Sequence, residues 1–240
     1  MSTPGFFTQG VMYDLPHPPI PLQLLLIVHA VVERALQLLR EFPPSGFALS
    51  LADEDTITFQ LHWVIANRLY KSKEVPGFNK RGFGKVWREP KVTNFDGQHP
   101  DKMPDLVFDL SRDSLPVLPT HDALTVECKP VDKNHSAGGD YCDKGLRRFV
   151  IGDYAWPMQD AMMVGYVRDE RCITANLLPA MTQRWDGLGM VEAPRPTGES
   201  RAGKPANCMH VSVHARDFSW PDGRGRACNI RIFHSWHSCS

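Results

Sequence analysis

Two short strand-like runs constrain this chain more than any other part of it: Pro104-Asp105-Leu106-Val107-Phe108-Asp109-Leu110 and Leu124-Thr125-Val126-Glu127-Cys128-Lys129. In a strand, residues two apart share a face. Glu127 and Lys129 therefore emerge together, while Val126 and Cys128 turn the other way, into a core. If the two runs are neighbours in a sheet, Asp105 joins that pair. Two carboxylates and an ammonium at one sheet end can hold a hard divalent cation and stabilise charge on a phosphate.

A Glu-x-Lys triplet alone is a weak signal, and a second copy occurs at Glu89-Pro90-Lys91. Pro90 lacks a backbone donor and fits poorly in a central strand, whereas Thr125-Val126-Glu127-Cys128 has the character of a buried one. The plain alternative for Glu127 and Lys129 is a solvated ion pair on an exposed strand face, worth little to stability.

Pro104, Asp105, Glu127, Cys128 and Lys129, with Cys128 at the variable position, resemble the motif of the PD-(D/E)XK nuclease superfamily, the restriction-endonuclease-like fold. The likeness extends more loosely from the helix beginning near Asp53 to the strand Ala161–Val167, in the order helix, strands, helix, strand. The resemblance implies an α/β fold with a mixed central sheet flanked by helices, here with a C-terminal β-hairpin extension. It implies Mg²⁺, with Mn²⁺ able to substitute, held by Asp105, Glu127 and the Cys128 carbonyl, with Lys129 catalytic. It implies hydrolysis of DNA phosphodiester bonds, as an endonuclease of bacterial restriction or anti-phage defence, with partner subunits or a homodimer. Two alternatives stand beside it: a non-catalytic nucleic-acid-binding or scaffold subunit, and an RNase or single-strand nuclease.

Further candidates surround the motif. Ile57, Leu61, Val64, Ile65 and Leu69 draw one apolar helix face behind an Asp53 N-cap. Glu54 heads that face; it either reaches the metal site, as the resemblance implies, or favours the helix N-terminal dipole. Glu89 would supplement the metal ligands if its strand lies beside Asp105. Lys71, Lys73, Lys80, Arg81, Lys85, Arg88 and Lys91 form a basic stretch before the acidic segment. Such a border suits phosphates, Lys85 and Arg88 included. A helix over 140–156 carries Lys144, Arg147 and Arg148 on one side; Arg147 and Arg148 are DNA-contact candidates.

With 240 residues, 42% of them hydrophobic, the chain suits one α/β domain with an elaboration. Residues 1–44 read as an arm and helix, 45–186 as the nuclease-like core, and 187–240 as a loop and hairpin packed on it. Lysine plus arginine equals aspartate plus glutamate, which excludes a polycation, so any nucleic-acid surface is local. Six cysteines without CxxC spacing point to reduced thiols. The first residues lack the charge of a signal peptide, and the apolar run 22–32 is interrupted by His29, Glu33 and Arg34. The expectation is a soluble, cytoplasmic protein with no membrane contact.

Pro130 to Gly139 reads as a mobile polar cover, and 187–207 as a loop. Strands are expected at 209–216 and 227–236. The tail gathers Cys208, His210, His214, Cys228, His234, His237 and Cys239. Their spacing fits no common zinc finger. Two readings remain: His214 or His234 lies near the metal centre, against a phosphate or the nucleophilic water, or these are ordinary strand residues with satisfied hydrogen bonds.

Overall fold

The computed structural model describes residues 15–112, 118–198 and 209–239. Its centre is a seven-stranded mixed sheet. In chain order the strands are β1 (Phe83–Arg88), β2 (Leu106–Leu110), β3 (Ala123–Val131), β4 (Asp160–Val167), β5 (Met190–Pro196), β6 (His210–His214) and β7 (Ile230–Ser238). Their order across the sheet is β1-β2-β3-β4-β7-β6-β5. The pairs β3/β4 and β4/β7 are parallel and the others antiparallel.

Every residue of β4 is buried, because helices cover both faces, as a parallel centre requires. On one face lie α1 (Leu22–Glu41) and α2 (Glu54–Val64), the latter running on through a π-helical segment, Ile65–Leu69, into α3 (Tyr70–Ser72). Leu25, Val28, Val32, Leu36 and Leu39 give α1 its buried stripe. Among the described residues, α1 is the one helix long and apolar enough to cross a membrane, yet half of its most apolar window is buried inside the fold. α2 begins where Asp53 accepts from the Thr56 N–H at 2.7 Å, the cap expected from sequence. On the other face, Ser136 caps a π-helical segment, Ala137–Leu146, that continues as α4 (Arg147–Val150). A second such segment, Ile173–Leu177, leads into α5 (Leu178–Thr182).

Several expectations need correction. The stretch 130–139 is strand to Val131 and helix from Ala137, so it is no polar cover over a groove. The helix expected over 140–156 ends at Val150, and the chain turns at Gly152 with φ +80°. Within 187–207, Met190–Pro196 forms β5; Pro194 and Pro196 disguise it, and prolines are tolerated because β5 is an edge strand. Strands do form near 209–216 and 227–236, but β7 is hydrogen-bonded directly to β4. The C-terminal hairpin therefore extends the central sheet itself. His29 of α1 bonds Ser235 of β7 at 2.6 Å.

Candidate functional site

The site lies where the sheet opens. Leu106 is the first residue of β2 to pair with β3, opposite Val126. Beyond it, Glu127 to Val131 run beside β4 alone on that edge. The chain leading to β2 has turned away: Glu89 leaves β1 at φ +48° and its N–H donates to the Asp105 carbonyl at 3.1 Å. Asp105 sits in the opening, its Oδ2 accepting from the Cys128 N–H at 2.6 Å. The backbone of the variable position thus fastens the first acidic residue between Glu127 and Lys129.

Lys129 Nζ donates to Glu54 Oε1 and lies 3.2 Å from Glu127 Oε1. Glu54 is the first residue of α2; the cap that starts the helix also aims this carboxylate across the sheet end. From the other side Arg148 of α4 donates to Glu127 Oε1 at 2.9 Å and to the Tyr154 hydroxyl at 2.7 Å. Tyr154 in turn donates to the Met103 carbonyl at 2.8 Å. Gly145 lets the helix lie close, since a Cβ there would fall 2.7 Å from Met163 Cε and 3.3 Å from Lys129 Cγ.

Three carboxylates, Glu54, Asp105 and Glu127, thus meet two cations, Lys129 and Arg148. Burial, then the charge of Asp105, pushes the Glu127 carboxyl up to about 8. Burial likewise raises Asp105 to about 6, with Lys129 working against it. Burial alone would lower Lys129, but Glu127, Asp105 and Glu54 outweigh it and raise the ammonium further above its ordinary value. Lys129 is therefore charged throughout the neutral range.

Glu127 is fully buried, and its Oε2 has no hydrogen-bond partner. A buried carboxylate oxygen left bare is costly, and a hard cation is one group that fits it. No group of three or more His, Cys, Asp or Glu side chains among the described residues is arranged to hold a metal ion. A cation at Asp105 and Glu127 would draw its remaining oxygens from the Cys128 carbonyl and water. The Cys128 thiol faces away, fully buried in the core on the α1–α2 side.

The structure thus brings together Asp105, Glu127, Lys129, Glu54, the Cys128 backbone and Arg148. Arg148 holds Glu127 where a DNA phosphate was expected. Glu89 stays outside as a ligand: only its backbone meets Asp105, while its carboxylate pairs with Arg88 at 2.9 Å. Arg147 is exposed. Lys85 lies over the Trp87 ring at 5.1 Å and Arg88 over Phe59 at 5.4 Å, both on the β1 border.

His214 and His234 are corrections. Both are fully buried, and β6 stands three strands from β3, about 14 Å at the usual spacing. Because Leu188 O only accepts, His214 Nδ1–H donates to it at 2.8 Å. His214 Nε2 then accepts from Ser212, whose Oγ accepts from His234 Nε2–H at 2.8 Å, and the His234 Nδ1 lone pair shares the Tyr141 hydroxyl proton with the Met163 carbonyl. Burial pushes His214 down to about 4 and His234 well below its ordinary value. Both rings serve the core, with no atom free for a phosphate.

Sequence reasoning missed Tyr154 and the Met103 carbonyl, which brace Arg148. Nothing in their local pattern signals that role. No protein-family model, no curated protein and no solved structure matches this chain.

Proposed function

We propose that this chain is a metal-dependent nuclease of the PD-(D/E)XK type, hydrolysing phosphodiester bonds in DNA. The observation that carries the reading is the meeting of Asp105, Glu127 and Lys129 at the β2/β3 opening, with one oxygen of the buried Glu127 left bare. The order α2, β1, β2, β3, helix 137–150, β4 supports the same reading, since the superfamily it resembles follows that succession. Asp105, Glu127 and the Cys128 carbonyl would hold Mg²⁺ or Mn²⁺. The bound ion would supply Lewis acidity toward a phosphoryl oxygen and a water of lowered pKa.

The remaining work falls to the chain itself. Lys129, a permanent ammonium, orients the attacking water and offsets negative charge developing on the phosphate. It is a donor here, and has no lone pair with which to act as a base. Glu54 fixes the Lys129 head, and Arg148, braced by Tyr154, fixes the Glu127 carboxylate. Partner subunits or a homodimer would serve cleavage of both strands, and restriction or other defence against foreign DNA is the biological setting the resemblance favours.

The test is incubation of the purified protein with plasmid, linear duplex, single-stranded DNA and RNA, in Mg²⁺, in Mn²⁺ and in chelator. Cleavage that needs the ion and vanishes in Glu127→Ala is expected. A rival reading, a non-catalytic nucleic-acid-binding subunit, is favoured by the internal ion pairing of the cluster and by the want of a three-side-chain ligand group among the described residues. Binding indifferent to the ion, with no cleavage, would establish that rival.

A further inference from the structure

Far from the carboxylate cluster, the chain between α3 and β1 encloses a hollow of about 790 Å³. Its floor is apolar, formed by Val75 and Phe78, and Lys71, Lys73, Lys80 and Arg81 surround it. Phe78 is fixed from below by an edge contact with Tyr70 and a tilted one with Phe83, at centroid distances of 5.3 and 5.4 Å. Gly77, at φ +86°, presses the loop onto α1, where a Cβ would fall 2.5 Å from Ile27 Cδ1. The loop is thus pinned at both its core contacts.

The charge of this loop is uncompensated. Glu74 is the one acid between residues 70 and 81, and it is taken by Arg34 at 3.2 Å and Arg68 at 3.3 Å. Among the described residues, none of Lys71, Lys73, Lys80 and Arg81 makes an ion pair. Four like charges crowded around one concavity repel one another, and an anion relieves that repulsion. Val75 and Phe78 are themselves buried and offer no ring to stack on, so what the cationic rim suits is a chain of phosphates.

The hollow is also placed in line with the candidate site. From it the chain enters β1 at Phe83 and reaches Glu89, whose N–H bonds Asp105. Lys85 and Arg88 lie on that strand. Measured along the helical run from Glu54 to Ser72, the two ends are about 27 Å apart at the usual rise per residue. That span equals roughly eight base-pair steps of 3.4 Å.

We infer that this hollow is a second contact for a sugar-phosphate chain, gripping the substrate about eight nucleotides from the bond to be cut. The inference rests on the nuclease reading for its direction and distance, although the hollow's affinity for phosphates does not depend on cleavage. A cationic rim this far from the reacting centre gives binding energy to long substrates only, and makes that binding steeply salt-dependent.

The experiment compares the wild-type chain with one carrying Lys71→Gln, Lys73→Gln, Lys80→Gln and Arg81→Gln together. These side chains are exposed, and an unchanged thermal midpoint certifies the fold. Binding to labelled 24- and 6-base-pair duplexes, to a 24-nucleotide single strand and to the matching RNA is followed by fluorescence anisotropy in chelator, from 50 to 200 mM salt. Wild-type cleavage of plasmid in Mg²⁺ is measured separately.

On the form of nucleic acid the protein prefers, wild-type affinity should fall about a hundredfold more steeply over that range than the variant's, as expected for four released counterions. The difference should shrink on the 6-mer, which cannot span the hollow and the cluster together. Equal salt slopes on every 24-mer overturn the inference, and cleavage of plasmid in the same preparation would leave the nuclease reading standing. A lost slope without cleavage in any ion leaves the hollow standing and removes the nuclease. Binding of the wild type to acidic lipid vesicles but to no nucleic acid overturns the inference by assigning the cations to a membrane surface.

Discussion

Glu127→Gln, measured in chelator, should gain stability over the wild type as pH rises. Burial and the neighbouring Asp105 charge push the Glu127 carboxyl from 4.5 up to about 8. The folded protein therefore keeps a proton that the unfolded chain releases above pH 4.5. A group raised in this way contributes stability that is complete below 4.5 and lost as pH climbs through about 8. At 1.36 kcal/mol per pH unit, the full loss is about 5 kcal/mol. Glutamine has no such proton, so its stability curve lacks that decline. The substitution also weakens the charged hydrogen bonds from Lys129 and Arg148, at a cost of about 1.5–3 kcal/mol for each, but those partners keep their charge across the range and the cost is nearly constant. The diagnostic quantity is therefore the slope of the difference. Urea unfolding of both proteins at pH 5, 6, 7 and 8 in EDTA should show the variant gaining on the wild type by about 1 kcal/mol per unit. Parallel curves, or a variant that loses ground as pH rises, would refute the picture of a buried carboxylate with too little counter-charge.

Lys129→Met should abolish cleavage while calorimetric binding of Mn²⁺ to Asp105 and Glu127 persists or tightens; cleavage at the wild-type rate would remove Lys129 from the chemistry. Tyr154→Phe deletes the hydroxyl that accepts from Arg148 and donates to Met103, and should cost about 1 kcal/mol in denaturant unfolding together with a slower turnover; an unchanged rate would make Arg148 independent of its brace. Gly165→Ala would put a methyl 2.5 Å from Trp236 Cδ1, and overpacking at this central strand should lower stability by about 1–3 kcal/mol; a neutral result would mean that the indole moves freely. Acid should destabilise the fold through its buried imidazoles. His214 is depressed to about 4, and His234 and His237 well below their usual value. Their contribution is intact above pH 6.5 and lost as pH falls through the folded values, about 3 kcal/mol for His214 alone. His214→Gln should flatten the unfolding curve between pH 6.5 and 4, and an unaltered curve would show that the ring is already protonated in the fold.

Much of the site was legible because its signals are local. Alternation along 124–129 separates Glu127 and Lys129 from Val126 and Cys128, and the core confirms it by burying Val126 and Cys128 together against α1 and α2. The Asp53 cap and the apolar stripe behind it located Glu54 at the head of α2. The failures are equally particular. Prolines hid β5 because proline is unfavourable in most strands, and only the sheet order reveals an edge that accepts it. His214 and His234 belong to a tail rich in histidine and cysteine, but sequence does not say which side of β6 and β7 lies under a helix. Arg148 advertised a basic helix face; whether it met a substrate or Glu127 depended on how α4 crosses β3.

Local pattern alone placed α2, β2 and β3 and set the facing of the motif residues, since backbone geometry ties residues two apart in a strand and three or four apart in a helix. Tertiary structure alone decided what those faces meet. The start of β2 at Leu106, the turn at Glu89 and the packing of Gly145 open the sheet beside Glu127, and each depends on pairing between distant segments. The charge state of the cluster was decided there too. Desolvation, which pushes the Glu127 carboxyl upward, exists only once the chain around it has closed.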